Sequence, residues 1–349
     1  MKYKYTSVAG VCIMTAITMS LFFSSRIYAQ GAAGTTLTKE NIEKALNEAY
    51  NKYKDLREGK NADYIKELAS VDPNIFGIAL ITTDGKIYTK GDITSMVSIQ
   101  SVSKVFTMAD VIEQQGPKAV QDKIGVDATG MRFNSVIAVE VHQGKEINPL
   151  VNPGAIASTS LVTGADSAAK WSEIVRVQSD FAGRKLSING PVYVSEAGDN
   201  MHNQALAVLL LSYGRMYSDP REATDIYTKQ CSLNVNAKDL ATMAATLANG
   251  GVNPVTKKKV VSPETVMYTL PVMATAGLYD DSGIWLYYSG LPAKSGVGGG
   301  LLAVCPGKFG IAVISPPLDA AGNSVKAQKV IQYVIEQLKV NPYLVTPKM

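Results

Sequence analysis

Histidine is nearly missing from this chain: His142 and His202 are the only two among 349 residues. A histidine-built zinc site and a Ser-His-Asp triad are therefore poorly supplied, and neither histidine sits in a recognisable motif. Cysteine is almost as scarce, with Cys12, Cys231 and Cys305. The last two lie in apolar stretches, where free buried thiols are common, and are read as unpaired. Excess charge is small: the formal balance is +4, and Lys2, Lys4 and Arg26 supply three of those charges within an acid-free leader. What is left gives no electrostatic case for nucleic acid or a membrane surface. Low-complexity tracts and solenoid repeats are absent. The 46% hydrophobic and 18% charged content is that of an ordinary globular chain, with length for one large core or two modest ones.

The leader itself has a basic start, an apolar stretch from Val8 to Phe23, and a polar stretch ending at the small residue Ala29. That apolar run is short and rich in Thr and Ser for a bilayer span, so residues 1–29 read as a secretory signal peptide rather than a retained anchor. Val11 before Cys12 argues against a lipoprotein. The expected mature form is residues 30–349, exported to the periplasm or medium, without stable membrane insertion.

Along the mature chain, Thr38 to Arg57 carries Ile42, Ala45, Leu46, Ala49 and Tyr53 at helical spacing. Asn74 to Thr82 and Lys86 to Thr89, joined at Asp84-Gly85, predict a β-hairpin. A helix starts near Ser103 and stops at Gly116-Pro117. Further helices are expected over Ala165 to Phe181, Asn203 to Tyr213, Thr224 to Cys231, Ala237 to Ala248 and Val325 to Val340. Gly283 to Ser289, Gly300 to Cys305 and Phe309 to Ser315 read as late strands, the last two joined at Pro306-Gly307-Lys308. An isolated hairpin is marginal, so early and late strands are expected to share one five-stranded antiparallel sheet. This gives an α+β fold: a sheet lobe from about 30–104 and 283–349, flanked by helices, and a mostly helical lobe over about 105–282. The two lobes form a single domain with a cleft between them.

Two motifs carry chemistry. Ser101-Val102-Ser103-Lys104 is an S-x-x-K tetrad, whose spacing on a helix's first turn sets hydroxyl and amine on one face. A desolvated lysine there can take the serine's proton, and the helix start offers N–H groups to an oxyanion. The tetrad alone says little, since Ser167-Ala168-Ala169-Lys170 repeats it on what reads as a surface helix. Lys294-Ser295-Gly296 distinguishes the first copy: a K-[ST]-G triad near a late strand is the second half of the penicillin-recognising serine enzyme signature. Read alone, Asn152 is as well explained as a turn former before Pro153, Asn203 as a helix N-cap and Glu196 as a solvated acid. Tyr227 and Tyr279 are as well explained as core tyrosines.

The segment Val97 to Phe106 resembles the nucleophile segment of the serine-dependent glutaminases, and Leu291 to Gly300 resembles that family's C-terminal signature. Asn152 to Ile156, Ser195-Glu196, Lys229 to Ser232, Leu247 to Val255, Pro306 to Gly310 and Ser315 to Asp319 continue the similarity, which runs in order from about Asn61 to Leu338. The resemblance implies a β-lactamase/penicillin-binding-protein-like fold. It also implies hydrolysis of L-glutamine to L-glutamate and ammonia with neither cofactor nor metal, and assembly as a homodimer or homotetramer. It assigns Ser101 as nucleophile, Lys104 as base and Tyr279 as the adjoining phenol. The amides of Ser101 and Val297 become the oxyanion hole; Asn152, Asn203 and Tyr227 take the α-carboxylate, Glu196 the α-ammonium, and Tyr64 closes the site. Lys66 departs from the family's proline after Tyr64-Ile65, which leaves the geometry of that flap open. Two other readings keep part of this pattern: an exported β-lactamase or D-alanyl-D-alanine peptidase, and a non-catalytic amino-acid binding protein.

Overall fold

The computed structural model describes residues 37–345 and residue 347. The signal peptide expected from the sequence lies outside the described residues. Among the described residues seven strands are formed: β1 (Gly77–Thr82), β2 (Ile87–Gly91), β3 (Val97–Ser98), β4 (Asn234–Val235), β5 (Ala293–Ser295), β6 (Gly300–Cys305) and β7 (Phe309–Ile314). Five of them make one antiparallel sheet in the order β2-β1-β7-β6-β5. Early and late strands thus meet in one sheet, as expected, at the β1–β7 pairing. β3 and β4 form a separate short ribbon.

Alternation along the strands feeds two cores. Ile78, Leu80, Leu301, Ala303, Ile311 and Val313 join one cluster, beneath the helices Lys39–Tyr53 and Val325–Leu338. Ala79, Ile81, Leu302, Val304, Ala312 and Ile314 join the other, against the helix Ala237–Ala248 and the helical lobe. Burial on both faces explains why these strands read as unbroken apolar runs. The covering helices start where the sequence can cap them: Thr38 accepts a bond from the Asn41 amide at 3.2 Å, and Asn236 with Asp239 closes a reciprocal capping box.

The helix Ala237–Ala248 sits so low on the sheet that only glycine fits beneath it. A Cβ on Gly310 would stand 2.1 Å from the Ala245 amide nitrogen. Gly310→Ala must push helix and sheet apart and should cost about 1–3 kcal/mol. The expected result is a lower urea midpoint at unchanged m-value; an unaltered midpoint would remove this account of the packing.

The middle of the chain is helical as expected, but the sequence left several helices unread, among them Asn152–Leu161, Gly190–Gly198 and Pro263–Ala276. One late strand is corrected. Residues Ser282–Ser289 form a helix that buries Trp285 and leaves Ile284, Tyr287 and Tyr288 exposed, ending at the left-handed Gly290. The fifth strand is instead the short β5. Cys231 and Cys305 are both free and buried. Among the described residues, no helix is long and apolar enough to cross a membrane.

Candidate active site

Leaving β3, the chain passes through Gln100 at φ 52° and enters a 3-10 turn, Gln100–Val102, that runs straight into the helix Ser103–Gln115. This sets Ser101 at the helix entrance, 7% exposed, and Lys104 one turn deeper at 1%. A left-handed non-glycine residue costs about 1–3 kcal/mol and persists only when its surroundings hold it. Gln100 is held by its own side chain: its amide donates to Ser98 Oγ at 3.0 Å and to Glu196 Oε1 at 2.5 Å. Sequence reasoning missed this residue, because a lone glutamine beside Ser101 carries no spacing signal.

Lys104 reaches into the helical lobe. Its Nζ donates to Asn152 Oδ1 at 2.7 Å and approaches the Leu150 carbonyl at 3.4 Å. Asn152 opens the helix Asn152–Leu161, with Pro153 just inside its start. The same Oδ1 accepts the Tyr227 hydroxyl at 3.1 Å, and Asn152 Nδ2 donates to Asn203 Oδ1 at 3.0 Å. Four residues separated in sequence are thereby joined. Asn203 is the third residue of the helix Met201–Ser212 rather than its N-cap, which is Asn200. Burial lowers the Lys104 pKa to about 8, with no carboxylate bonded to it to restore the charge.

Tyr279 also has positive φ, 54°. Its ring packs between Phe133, at 4.9 Å between centroids, and Lys294 Nζ, 4.1 Å from its centroid. Burial raises its hydroxyl to about 12, against the pull of the nearby Ser101 and Ser295 hydroxyls. That approach falls short of hydrogen-bond geometry, so among the described residues the buried phenol oxygen and Ser295 Oγ both lack a partner.

The turn between β5 and β6 closes the other side. A Cβ on Gly298 would fall 2.3 Å from the Ser98 carbonyl, and one on Gly296 2.7 Å from that of Ile99. The glycines therefore let this turn lie directly on the segment that carries Ser101. Among the described residues, neither the Ser101 amide nor the Val297 amide donates a hydrogen bond.

Glu196 lies half-buried in the helix Gly190–Gly198, and loss of hydration raises its carboxyl to about 7 even though Gln100 donates to it. Tyr64 is 59% exposed, yet its hydroxyl is pushed up by desolvation and by Tyr279 and Glu196. Lys66 takes the first position of the short helix Lys66–Ala69 and Ile65 before it is extended. These are the positions that a proline and its predecessor would occupy, so the departure at Lys66 leaves the local backbone course compatible with the family's residue. Tyr64, Phe133 and Val297 line a hollow of about 720 Å³ at the mouth, with Asp63 and Asp319 on its rim. The second tetrad is apart from this group: Ser167 starts another helix behind its Asp166 cap, and Lys170 donates to the Ser160 carbonyl at 2.8 Å.

Lys104, Asn152, Asn203 and Tyr227 therefore share one hydrogen-bond network, Glu196 is tied to the Ser101 segment through Gln100, and Tyr64 and Val297 line one hollow. The model of the family described as glutaminase matches residues 59–343. The chain is 54% identical to a glutaminase of Colwellia psychrerythraea over 300 residues, covering 86% of this chain and 96% of that one. It is 48% identical to glutaminase 1 of Shigella flexneri, over 88% of this chain and 99% of the relative. Among solved structures, the probable glutaminase ybaS superposes with a TM-score of 0.87 at 48% identity, over 88% of this chain and 100% of that one. Mglu superposes at 0.83 and 34% identity, over 89% of this chain and 78% of that one. Likeness of this extent spans both lobes and all the elements that meet around Ser101, and on it the chain belongs to the glutaminase family.

Proposed function

We propose that this chain hydrolyses the side-chain amide of L-glutamine to L-glutamate and ammonia through an acyl-enzyme on Ser101. What supports the reading is a buried serine at the entrance of the helix that carries Lys104, an amine lowered to about 8 one turn deeper, a phenol near the serine hydroxyl, and amides of Ser101 and Val297 without an acceptor among the described residues. A carboxamide is a poor electrophile, so the hydroxyl must lose its proton as it attacks. Lys104 takes that proton while Oγ bonds to the amide carbon, and the carbonyl oxygen becomes an anion between the amides of Ser101 and Val297. The proton passes by way of Tyr279 to the nitrogen as its bond to carbon breaks, and ammonia leaves. Water then attacks the ester, gives its proton back along the same groups, and frees glutamate and the Ser101 hydroxyl.

Free glutamine is a zwitterion and needs grips of both signs. Glu196 takes the α-ammonium; Asn152, Asn203 and Tyr227 take the α-carboxylate through amide and phenol donors, without a full counter-charge. Tyr64 covers the mouth. The grip explains why an amino acid suits this site better than a penicillin, although the serine and two lysines are shared with that chemistry. Purified protein should release ammonia from glutamine, and ammonia release from glutamine and asparagine, run beside ring opening of nitrocefin read by its colour change, separates the readings. Nitrocefin turnover with no release from glutamine would transfer the chain to the β-lactamase reading; binding of glutamine without turnover would make it a binding protein.

We also propose export and self-assembly. The leader supports the first. Exposed Ile137, Val141, Val194, Met201, Val208 and Leu211, an apolar set on helices of the lobe that carries Glu196 and Asn203, supports a homodimer or homotetramer. Protein taken from the native envelope should have an intact mass beginning at residue 30 and sediment as more than one chain. A retained Met1 would overturn the first proposal and a monomer the second.

A further inference from the structure

Lys294 is fully buried on β5, and among the described residues no carboxylate pairs with it. Its Nζ donates to the Gly277 carbonyl at 2.8 Å and to its neighbour's, Ser295, at 2.7 Å. The remaining direction faces the Tyr279 ring, 4.1 Å from the centroid. Gly277 precedes Tyr279 by two residues, and its carbonyl also accepts the Ser295 amide at 3.3 Å. One side chain thus ties the sheet edge to the bend that holds the phenol, and touches the phenol's face as well.

We propose that Lys294 is a positioning residue of the hydrolysis, a buried ammonium that fixes Tyr279 in its left-handed bend with the hydroxyl turned to Ser101. The inference rests on the role given above to Tyr279.

The geometry separates the two buried lysines. A neutral amine would spend both N–H groups on the two carbonyls and turn its lone pair to the negative face of the ring, which repels it. An ammonium turns its third N–H there, which attracts it. Burial first, and the Lys104 charge after it, pull the Lys294 amine well below the usual lysine range; the two carbonyl acceptors and the ring face oppose that pull. Lys104 faces no such ring at close range, being 5.7 Å from that of Tyr227, and it binds the carbonyl oxygen of a side-chain amide. Proton acceptance thus falls to Lys104, and Lys294 stays charged.

The need for an anchor is visible at Tyr279. A non-glycine residue at φ 54° relaxes unless it is held, and the Tyr279 hydroxyl has no hydrogen bond of its own to hold it. Phe133 packs against the ring at a tilt of 42°, which limits its travel without selecting the direction of the hydroxyl. The ammonium, bonded to the carbonyl two residues upstream and set under the ring, fixes both the bend and the ring plane.

The test is a double-mutant cycle of Lys294→Met and Tyr279→Phe, with kcat and KM for glutamine measured on each folded variant. Lys294→Met should lower kcat about 100-fold, the scale of one lost proton-transfer group, with KM within about threefold. In the Tyr279→Phe background it should change kcat by less than about threefold, because its path to the reaction is then already gone. Lys294→Arg, which keeps the charge, should recover at least about tenfold over Lys294→Met. Equal losses in both backgrounds would reduce Lys294 to a merely structural residue and overturn the proposal, as would wild-type kcat in Lys294→Met while Tyr279→Phe is impaired. Full turnover in Tyr279→Phe would instead refute the phenol's role, a different failure. Should Lys294→Met not accumulate as folded protein, Lys294→Gln, which retains two N–H donors without charge, enters the same cycle.

Discussion

Ser101→Ala should lower glutamine turnover by at least about 10⁴-fold, and Lys104→Ala should come close to it. The double variant should be no worse than Ser101→Ala, because hydroxyl and amine act as one unit: with either missing, the other has nothing to activate or to be activated by. Ser167→Ala should leave the rate unchanged, since that serine starts a separate helix and its lysine partner is engaged with the Ser160 carbonyl. A diazo-ketone analogue of glutamine should add its mass to the peptide containing Ser101. A label elsewhere, or full activity in Ser101→Ala, would falsify the acyl-enzyme. The pH dependence follows from the same lysine. Its pKa sits at about 8, and only the neutral amine accepts a proton, so kcat should climb as pH rises through that value and level off above it. A limb of this kind that survives in the residual activity of Lys104→Ala would belong to another group.

Glu196→Gln should raise KM for glutamine by roughly 10- to 150-fold, the worth of about 1.5–3 kcal/mol for a charge-assisted bond to the α-ammonium. The decisive comparison is with the des-amino substrate, 4-carbamoylbutanoate. Wild type should discriminate against it and Glu196→Gln should not; equal KM values for the two substrates in the wild type would end this role. Loss of hydration holds the carboxyl at about 7, and the carboxylate is the form that binds ammonium. KM should therefore rise as pH falls below 7 in the wild type and stay flat in the variant. The same shift has a cost. An acid harder to ionise when folded than when unfolded withdraws stability as pH rises from the ordinary carboxyl range through 7. Above that, Glu196→Gln should melt no lower than the wild type, a loss of function without loss of fold.

Much of this site was legible because its chemistry lies in short, ordered motifs. Ser101 and Lys104 share one helical turn, and Lys294 with its glycines sits on one strand and turn. What bridges distant segments was not legible from composition or spacing. Nothing local indicates that Gln100 reaches Glu196, or that Asn152 joins Lys104 to Tyr227 and Asn203. The fold shows the same division. Helices with one apolar face, such as Val325–Leu338, were found near their true bounds. The helix Asn152–Leu161 was missed because every one of its residues is buried, which leaves no polar side to mark a period. Gly283 to Ser289 was misread for the opposite reason: its Ile, Trp and Tyr residues suit a strand, and of these the helix buries Trp285 alone while Ile284, Tyr287 and Tyr288 face outward. Gly290, in left-handed conformation directly after it, was the available sign of a helix end.

The β1–β7 pairing also has a consequence for biosynthesis. More than two hundred residues separate the end of β1 from the start of β7. A ribosome adding about 5–20 residues per second needs on the order of ten to forty seconds to cover that interval. Throughout it the β1–β2 hairpin has an open edge and no sheet to join, and closing so long a loop makes the final step slow. The turn that lies on the Ser101 segment, Gly296 to Gly298, is likewise among the last parts to be made. A nascent chain thus carries Ser101 and Lys104 early, without Tyr279, Lys294 and the Gly296–Gly298 turn, and the surroundings of that pair are completed only after β5 to β7 have been made.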